Sequence, residues 1–359
     1  IICADSAYPI LAKHNIKPDY VLALERHGLV YQCFEQDNQE FDKDILFIIA
    51  SVAHKSVIDT LEKTKKSYIL VHRPLPFSKA LNMDDYGYLG TGLSVANMAY
   101  DLAIKLGHKN IILIGQDLAY DENGNSHPKE YLHTQESEND RKEGLFITAY
   151  GGNGKAETNQ WWVLFKESLE QAIATNSSIN TYNATEGGAR IEGSIEKPFK
   201  EVCEELLIND IKKPVFEMLQ GLSKEEIERK NIEIEKTLRE VIFLSKNYIT
   251  KSKMLYNDII QSLENLDFED EIFKDLTQRI YQMKAQFEDE KFKNYFLDLV
   301  HSLFFHFEYN IAQNYIKNPS NMDEEYAKRK EYLQLHKNWI ETIIPHIALQ
   351  SEAIEKGIS

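Results

Sequence analysis

The chain has 359 residues, of which 43% are hydrophobic and 11% aromatic, enough for two domains that each bury a core. Its formal charge of −16 excludes any general attraction to nucleic acid or to an anionic membrane surface. The three cysteines, Cys3, Cys33 and Cys203, are scattered and lack metal-ligand spacing, which points to a reducing compartment, read as the cytoplasm.

In chain order, the first expected elements are strands at "IICA" (1–4), "YVLAL" (20–24), "ILFIIA" (45–50) and "SYILVH" (67–72), with helical patterns between most of them. Glu25 and Arg26 follow the second strand and Arg73 follows the fourth. Arginine there offers a planar fork to a carboxylate or phosphate. Next comes "GYLGTGLSVANMAYDLAIKLG" (87–107), a glycine-rich lead into a helix that stops at Gly107. Such a helix start presents free N–H groups and a positive dipole end, and Thr91 and Ser94 add hydroxyls around Gly92, a combination that suits a phosphate. Ser94 can equally cap its own helix.

The fifth strand, "NIILIG" (110–115), runs into Gln116 and Asp117. A carboxylate at the end of an apolar parallel strand stands where such sheets bind ligands, or caps the turn that follows. His127, further along the same loop, is a candidate base. A sixth strand, "INTYNA" (179–184), leads into "TEGGARIEG", where Glu186 precedes the pair Gly187 and Gly188, residues that permit positive φ or close backbone approach. Unbroken apolar strands separated by helices predict a parallel α/β sheet of the Rossmann kind covered on both faces.

After about Asn209 no strand candidate remains. The segment from Ser223 places Ile227, Ile234, Leu238, Val241, Ile242 and Ile249 at helical spacings. Further helices are expected over Glu271–Phe287, Lys291–Ile316 and Glu324–Ile343, with a turn at "NPSN" (318–321). The expected domains are therefore an α/β domain over 1–207 and a helical bundle over 208–359. No window reaches the roughly 20 uninterrupted apolar residues of a spanning helix, so no membrane insertion is expected.

Taken together, "TGLSVANMAYDLAIKLGHKNIILIGQDLAY" and "YNATEGGARIEGS" resemble the motility-associated factor (Maf) proteins, or DUF115 family. The resemblance implies transfer of a nonulosonic acid, such as pseudaminic or legionaminic acid, from its CMP-activated form to Ser or Thr of flagellin in the cytoplasm. The α/β half is also similar in order to bacterial sialyltransferases that use CMP-sialic acid. That similarity matches Thr91, Gly92 and Ser94 to the donor-contacting helix start, Gly115 and Asp117 to the strand-end motif, and Tyr120 to a tyrosine that steadies the leaving phosphate. No His stands in "YGGNGKAETNQ" (150–160), where the base of those enzymes falls, so the base is either His127 or not inherited.

The resemblance further implies a Gly-rich loop upstream of Ile1, and a chain that opens without Met inside an apolar run is expected to lack that part of the nucleotide site. No acidic pair stands in the expected nucleotide loops, so no metal or other cofactor is expected beyond the CMP-sugar substrate. One rival reading is an archaeal 6-hydroxymethylpterin diphosphokinase using ATP and Mg²⁺, with Asp84 and Asp85 as carboxylates. Another is a non-catalytic flagellar assembly factor that works through its helical half.

Overall fold

The computed structural model describes residues 1–73, 75–90, 93–127, 130–132, 144–207, 222–265 and 269–358. Contacts divide the chain into two units, Ile1–Arg73 with Tyr86–Glu217, and Pro74–Asp85 with Met218–Ser359.

The first unit opens with β1 (Ile2–Ala4), α1 (Tyr8–Lys13), β2 (Tyr20–Ala23), α2 (Gln39–Asp42), β3 (Leu46–Ala50), α3 (Lys55–Lys63) and β4 (Tyr68–Val71). The strands form a parallel sheet in sequence order, with Ala4 beside Leu22 and Leu22 beside Ile48. Their continuous apolar runs are explained by burial on both faces. Tyr8, Phe34, Val57 and Leu61 pack on one face, and Val95, Met98 and Leu102 on the other. The second cover comes from α5 (Val95–Lys105), which crosses behind β1 and β2. One ion pair is buried with the first face. The Lys66 ammonium, enclosed by the fold, lies 3.0 Å from Asp42, which also accepts from the Tyr8 hydroxyl.

Beyond α5 the chain forms β5 (Asn110–Leu113), β6 (Leu145–Thr148), β7 (Lys155–Thr158), α6 (Gln160–Thr175), β8 (Asn180–Asn183), β9 (Ile195–Glu196) and α7 (Phe199–Leu206). The strands β5, β8 and β9 make a second parallel sheet, with Leu113 beside Asn183 and Asn183 beside Glu196. The pair β6 and β7 is an antiparallel hairpin that the sequence reading did not anticipate. Its first strand alternates half-buried and exposed residues, its second runs from exposed Lys155 to buried Thr158, and left-handed Gly151, Gly152 and Gly154 turn the chain between them.

In the second unit α8 (Lys224–Asn265), α9 (Asp270–Ala285), α10 (Glu290–Tyr315) and α11 (Met322–Ile358) are joined by a segment from the first half, α4 (Pro76–Ala80). Phe77 and Ala80 of α4 rest on the bundle core. The buried stripe of α8 is Val241, Ser245, Tyr248, Ser252, Leu255, Ile259 and Ser262, spaced four and three as in a coiled-coil seam. This corrects the expected stripe. Val241 belongs to both, but Ile227 is exposed, and serines occupy three of the seven seam positions, where a small side chain lets the facing helix approach. The last helix also runs past its expected end at Ile343, through Pro345 to Ile358. Buried Ile343, Ile347 and Ser351 hold both sides of the proline in place. Among the described residues no helix is long and apolar enough to cross a membrane.

Candidate functional site

The carboxyl ends of β2, β3 and β4 open into a cleft of about 390 Å³ lined by Leu24, Glu25, Arg26, His27, Val52, Arg73 and Leu93. Parallel sheets place ligands at this edge, since every strand there ends in a loop free to vary. Arg73 is fixed by its backbone, whose N–H donates to Ser51 Oγ at 3.0 Å. Leu93 brings the start of α5 to the rim. Ser94 is the N-cap of that helix, accepting from Asn97 N–H at 3.3 Å while its hydroxyl donates to Asn97 Oδ1 at 2.6 Å. Its oxygen therefore serves the helix first. Thr91 and Gly92 lie outside the described residues.

A second group forms where β5 ends. Gly115 takes a left-handed φ of 66°, Gln116 N–H donates to Thr185 Oγ1 at 3.1 Å, and Asp117 C=O accepts from Ala189 N–H at 2.7 Å. The two segments that carry the Maf resemblance are thus hydrogen-bonded to each other. Gly188, also left-handed, permits the approach, because a Cβ there would fall 2.3 Å from the Asp117 carbonyl oxygen. Gly187 has no such demand, with open space where its Cβ would point. Glu186 turns away to accept from Phe199 N–H at 2.9 Å, tying the loop to the first residue of α7. The Asp117 carboxylate reaches solvent, yet desolvation by its surroundings raises its pKa above the ordinary range. Tyr120 is buried, its ring 4.7 Å from Trp162 and its hydroxyl 3.3 Å from Asn159 Nδ2.

His127 occupies a third place. Its exposed ring stacks on Tyr131 at 4.1 Å, and Nδ1 sits 2.9 Å from Ser126 Oγ. Glu130 in the same loop is held by Lys13 at 2.7 Å and His14 at 3.0 Å, where α1 ends. The expected residues therefore fall into the cleft group of Glu25, Arg73 and the Ser94 helix start, the strand-end group of Gln116, Asp117 and Tyr120 with the 185–189 loop, and His127 on its own loop.

One residue was missed. Asp5 follows β1 as Glu25 follows β2, is 6% exposed, and has its pKa pushed up to about 7 by burial, with a smaller push from Glu25. A strongly perturbed carboxyl at the ligand edge of a sheet is a signature of a working site. The sequence signal was there: an acid directly after an apolar run, as at Asp117. Among the described residues no three His, Cys or carboxylate side chains cluster as metal ligands, and Asp84, expected to serve Mg²⁺ in the rival reading, belongs to the segment grouped with the helices.

Fold and site together define a Rossmann-like α/β domain with an open polar cleft at its strand ends, accompanied by a helical unit. A family profile described as "6-hydroxymethylpterin diphosphokinase MptE-like" matches residues 1–123, the part that holds the cleft. The MAf glycosyltransferase from Magnetospirillum magneticum AMB-1 shares the fold with a TM-score of 0.54 at 15% identity, over 100% of this chain and 52% of its own. This chain is thus Maf-like in fold and spans about half the length of that structure. No curated protein matches the sequence.

Proposed function

We propose that the α/β unit is a glycosyltransferase domain that binds a CMP-activated nonulosonic acid and passes the sugar to Ser or Thr of flagellin. The observation that carries this reading is the cleft at the ends of β2 to β4, where Arg26, His27 and Arg73 meet the start of α5. Departure of CMP from the anomeric carbon builds negative charge on the phosphate, and fixed cations and helix-end dipoles stabilise that charge most in the transition state. Asp117 orients the donor or the loop that covers it, Tyr120 steadies the strand-end group, and His127 takes the proton of the acceptor hydroxyl. The reaction runs without a metal or other cofactor, in the cytoplasm. The test is incubation of the chain with flagellin and CMP-pseudaminic or CMP-legionaminic acid. The acceptor should gain one sugar residue by intact mass, with CMP released. CMP binding without any mass gain would leave an assembly factor.

The profile over residues 1–123 favours one alternative, a diphosphokinase acting on a pterin alcohol with ATP and Mg²⁺. Thermal shift separates the two. Stabilisation by CMP alone supports the transferase, and stabilisation by ATP only with Mg²⁺ supports the kinase.

A further inference from the structure

Asp5 and Glu25 end adjacent parallel strands, paired from Ile2 beside Tyr20 to Ala4 beside Leu22. Glu25 lines the cleft, whereas the Asp5 side chain is enclosed by the fold. Asp5 Oδ1 accepts from Ser6 N–H at 2.7 Å, and Oδ2 is buried with no hydrogen-bond partner among the described residues. An enclosed carboxyl with an unused oxygen destabilises a fold, so its presence at the ligand edge calls for a role beyond packing. Its neighbours include the Cys3 thiol of β1, the Cys33 thiol in the 3-10 segment after β2, and Glu25. Burial pushes both thiols up to about 12, so they stay neutral.

We propose that Asp5 and Glu25 together set the charge at this edge of the sheet, the cleft admitting a phosphate-bearing ligand when Asp5 holds a proton and resisting it when Asp5 is ionised. This rests on the placing of the donor phosphate in that cleft. At an effective dielectric of about 20, a carboxylate roughly 12 Å from an anion is enough to shift its affinity about tenfold. Burial brings the Asp5 changeover to about 7; the acid is neutral below that pH and charged above it, so anion affinity falls as pH rises.

The test is calorimetry of the intact chain with CMP and, separately, inorganic phosphate at about pH 5.5 and about pH 8.5. His27, a ring in the same cleft, can give a slope of the same sign, so Asp5→Asn and His27→Gln are compared. The wild type should bind CMP roughly tenfold more weakly at the higher pH, Asp5→Asn should bind equally at both, and His27→Gln should keep the fall. A slope unchanged in Asp5→Asn overturns the pair, as does a flat wild type. Should Asp5→Asn not fold, Glu25→Gln, at an exposed position, should bind CMP more tightly than wild type at the higher pH; equal or weaker binding overturns the pair. A phosphate slope abolished in Asp5→Asn with no CMP binding keeps the pair and defeats the CMP reading. No binding of either anion defeats both.

Discussion

Gly188 stands against the backbone of Asp117, so close that a methyl group on it would meet the Asp117 carbonyl oxygen at 2.3 Å and its Cα at 2.5 Å. The contact clamps the loop after β8 onto the loop after β5, and Ala189 N–H closes it with a 2.7 Å hydrogen bond. Gly188→Ala should lower stability by about 2–4 kcal/mol, adding a left-handed φ to a backbone collision. Gly187→Ala, with open space at its Cβ, should change it by under about 0.5 kcal/mol. Urea unfolding of the two variants side by side measures the difference.

Asp5 makes folding pH-dependent in a defined window. Its folded pKa of about 7 lies above the unfolded value near 3.8, so between these the native state binds more protons than the unfolded one, and stability falls as pH rises. The loss should reach about 4 kcal/mol above pH 7 at most. Asp5→Asn should therefore gain on wild type as pH is raised from about 4 to about 7 and hold its gain beyond. A constant difference across this range, measured by urea unfolding, refutes it.

His336 acts in the opposite sense. Burial lowers its pKa to about 4, against a hydrogen bond to the Tyr332 carbonyl at 2.8 Å. The unfolded chain takes up a proton near pH 6.5 that the folded chain refuses, so stability contributed by the neutral ring is lost as pH falls from about 6.5 to about 4, by about 3 kcal/mol in all. His336→Gln should flatten this acid-side slope, read from helical ellipticity during unfolding, whatever its own packing loss.

In the cleft, Arg73→Gln should weaken CMP binding about tenfold, in line with loss of one charged hydrogen-bonding group. Ser94→Ala should instead lower stability by about 1 kcal/mol through loss of the α5 cap, with a smaller effect on CMP. Calorimetry and thermal unfolding of the same samples compare the two. Equal CMP loss in both would place the phosphate on the Ser94 hydroxyl.

If His127 is the base, His127→Ala should slow transfer by about 10² to 10⁴ while leaving CMP affinity in place. Loss of binding and rate together would make it a donor contact.

Five apolar runs announced their strands because parallel strands buried on both faces have no polar alternation to blur them, whereas β8, Asn-Thr-Tyr-Asn, carries polar residues into the sheet. The hairpin at Leu145–Thr158 was illegible for the converse reason: two four-residue strands that carry Thr, Lys and Glu, separated by a glycine-rich turn, read as loop. Within "TEGGA" the sequence showed two glycines but not which one met a neighbouring backbone; only the fold singles out Gly188. On α8 the seam was misread because serine counts as polar in a periodicity search, although at Ser245 and Ser252 it is its small size that matters. Asp5 carried the positional signal of an acid after an apolar run, but nothing in the sequence marked its burial, which is what sets it apart.

Phe77 and Ala80, carried on α4, complete the bundle core from a stretch of chain that precedes most of the α/β unit. The polypeptide thus leaves its first unit and re-enters it before the helices have been synthesised. During translation α4 must wait, its apolar face uncovered, until α10 emerges to receive it. The helical half is therefore no detachable tail: trimming the chain at 207 would strand that face in water, and the helices produced alone would lack a piece of their own core. Any dissection of this protein into parts has to carry residues 74–85 along with the helices.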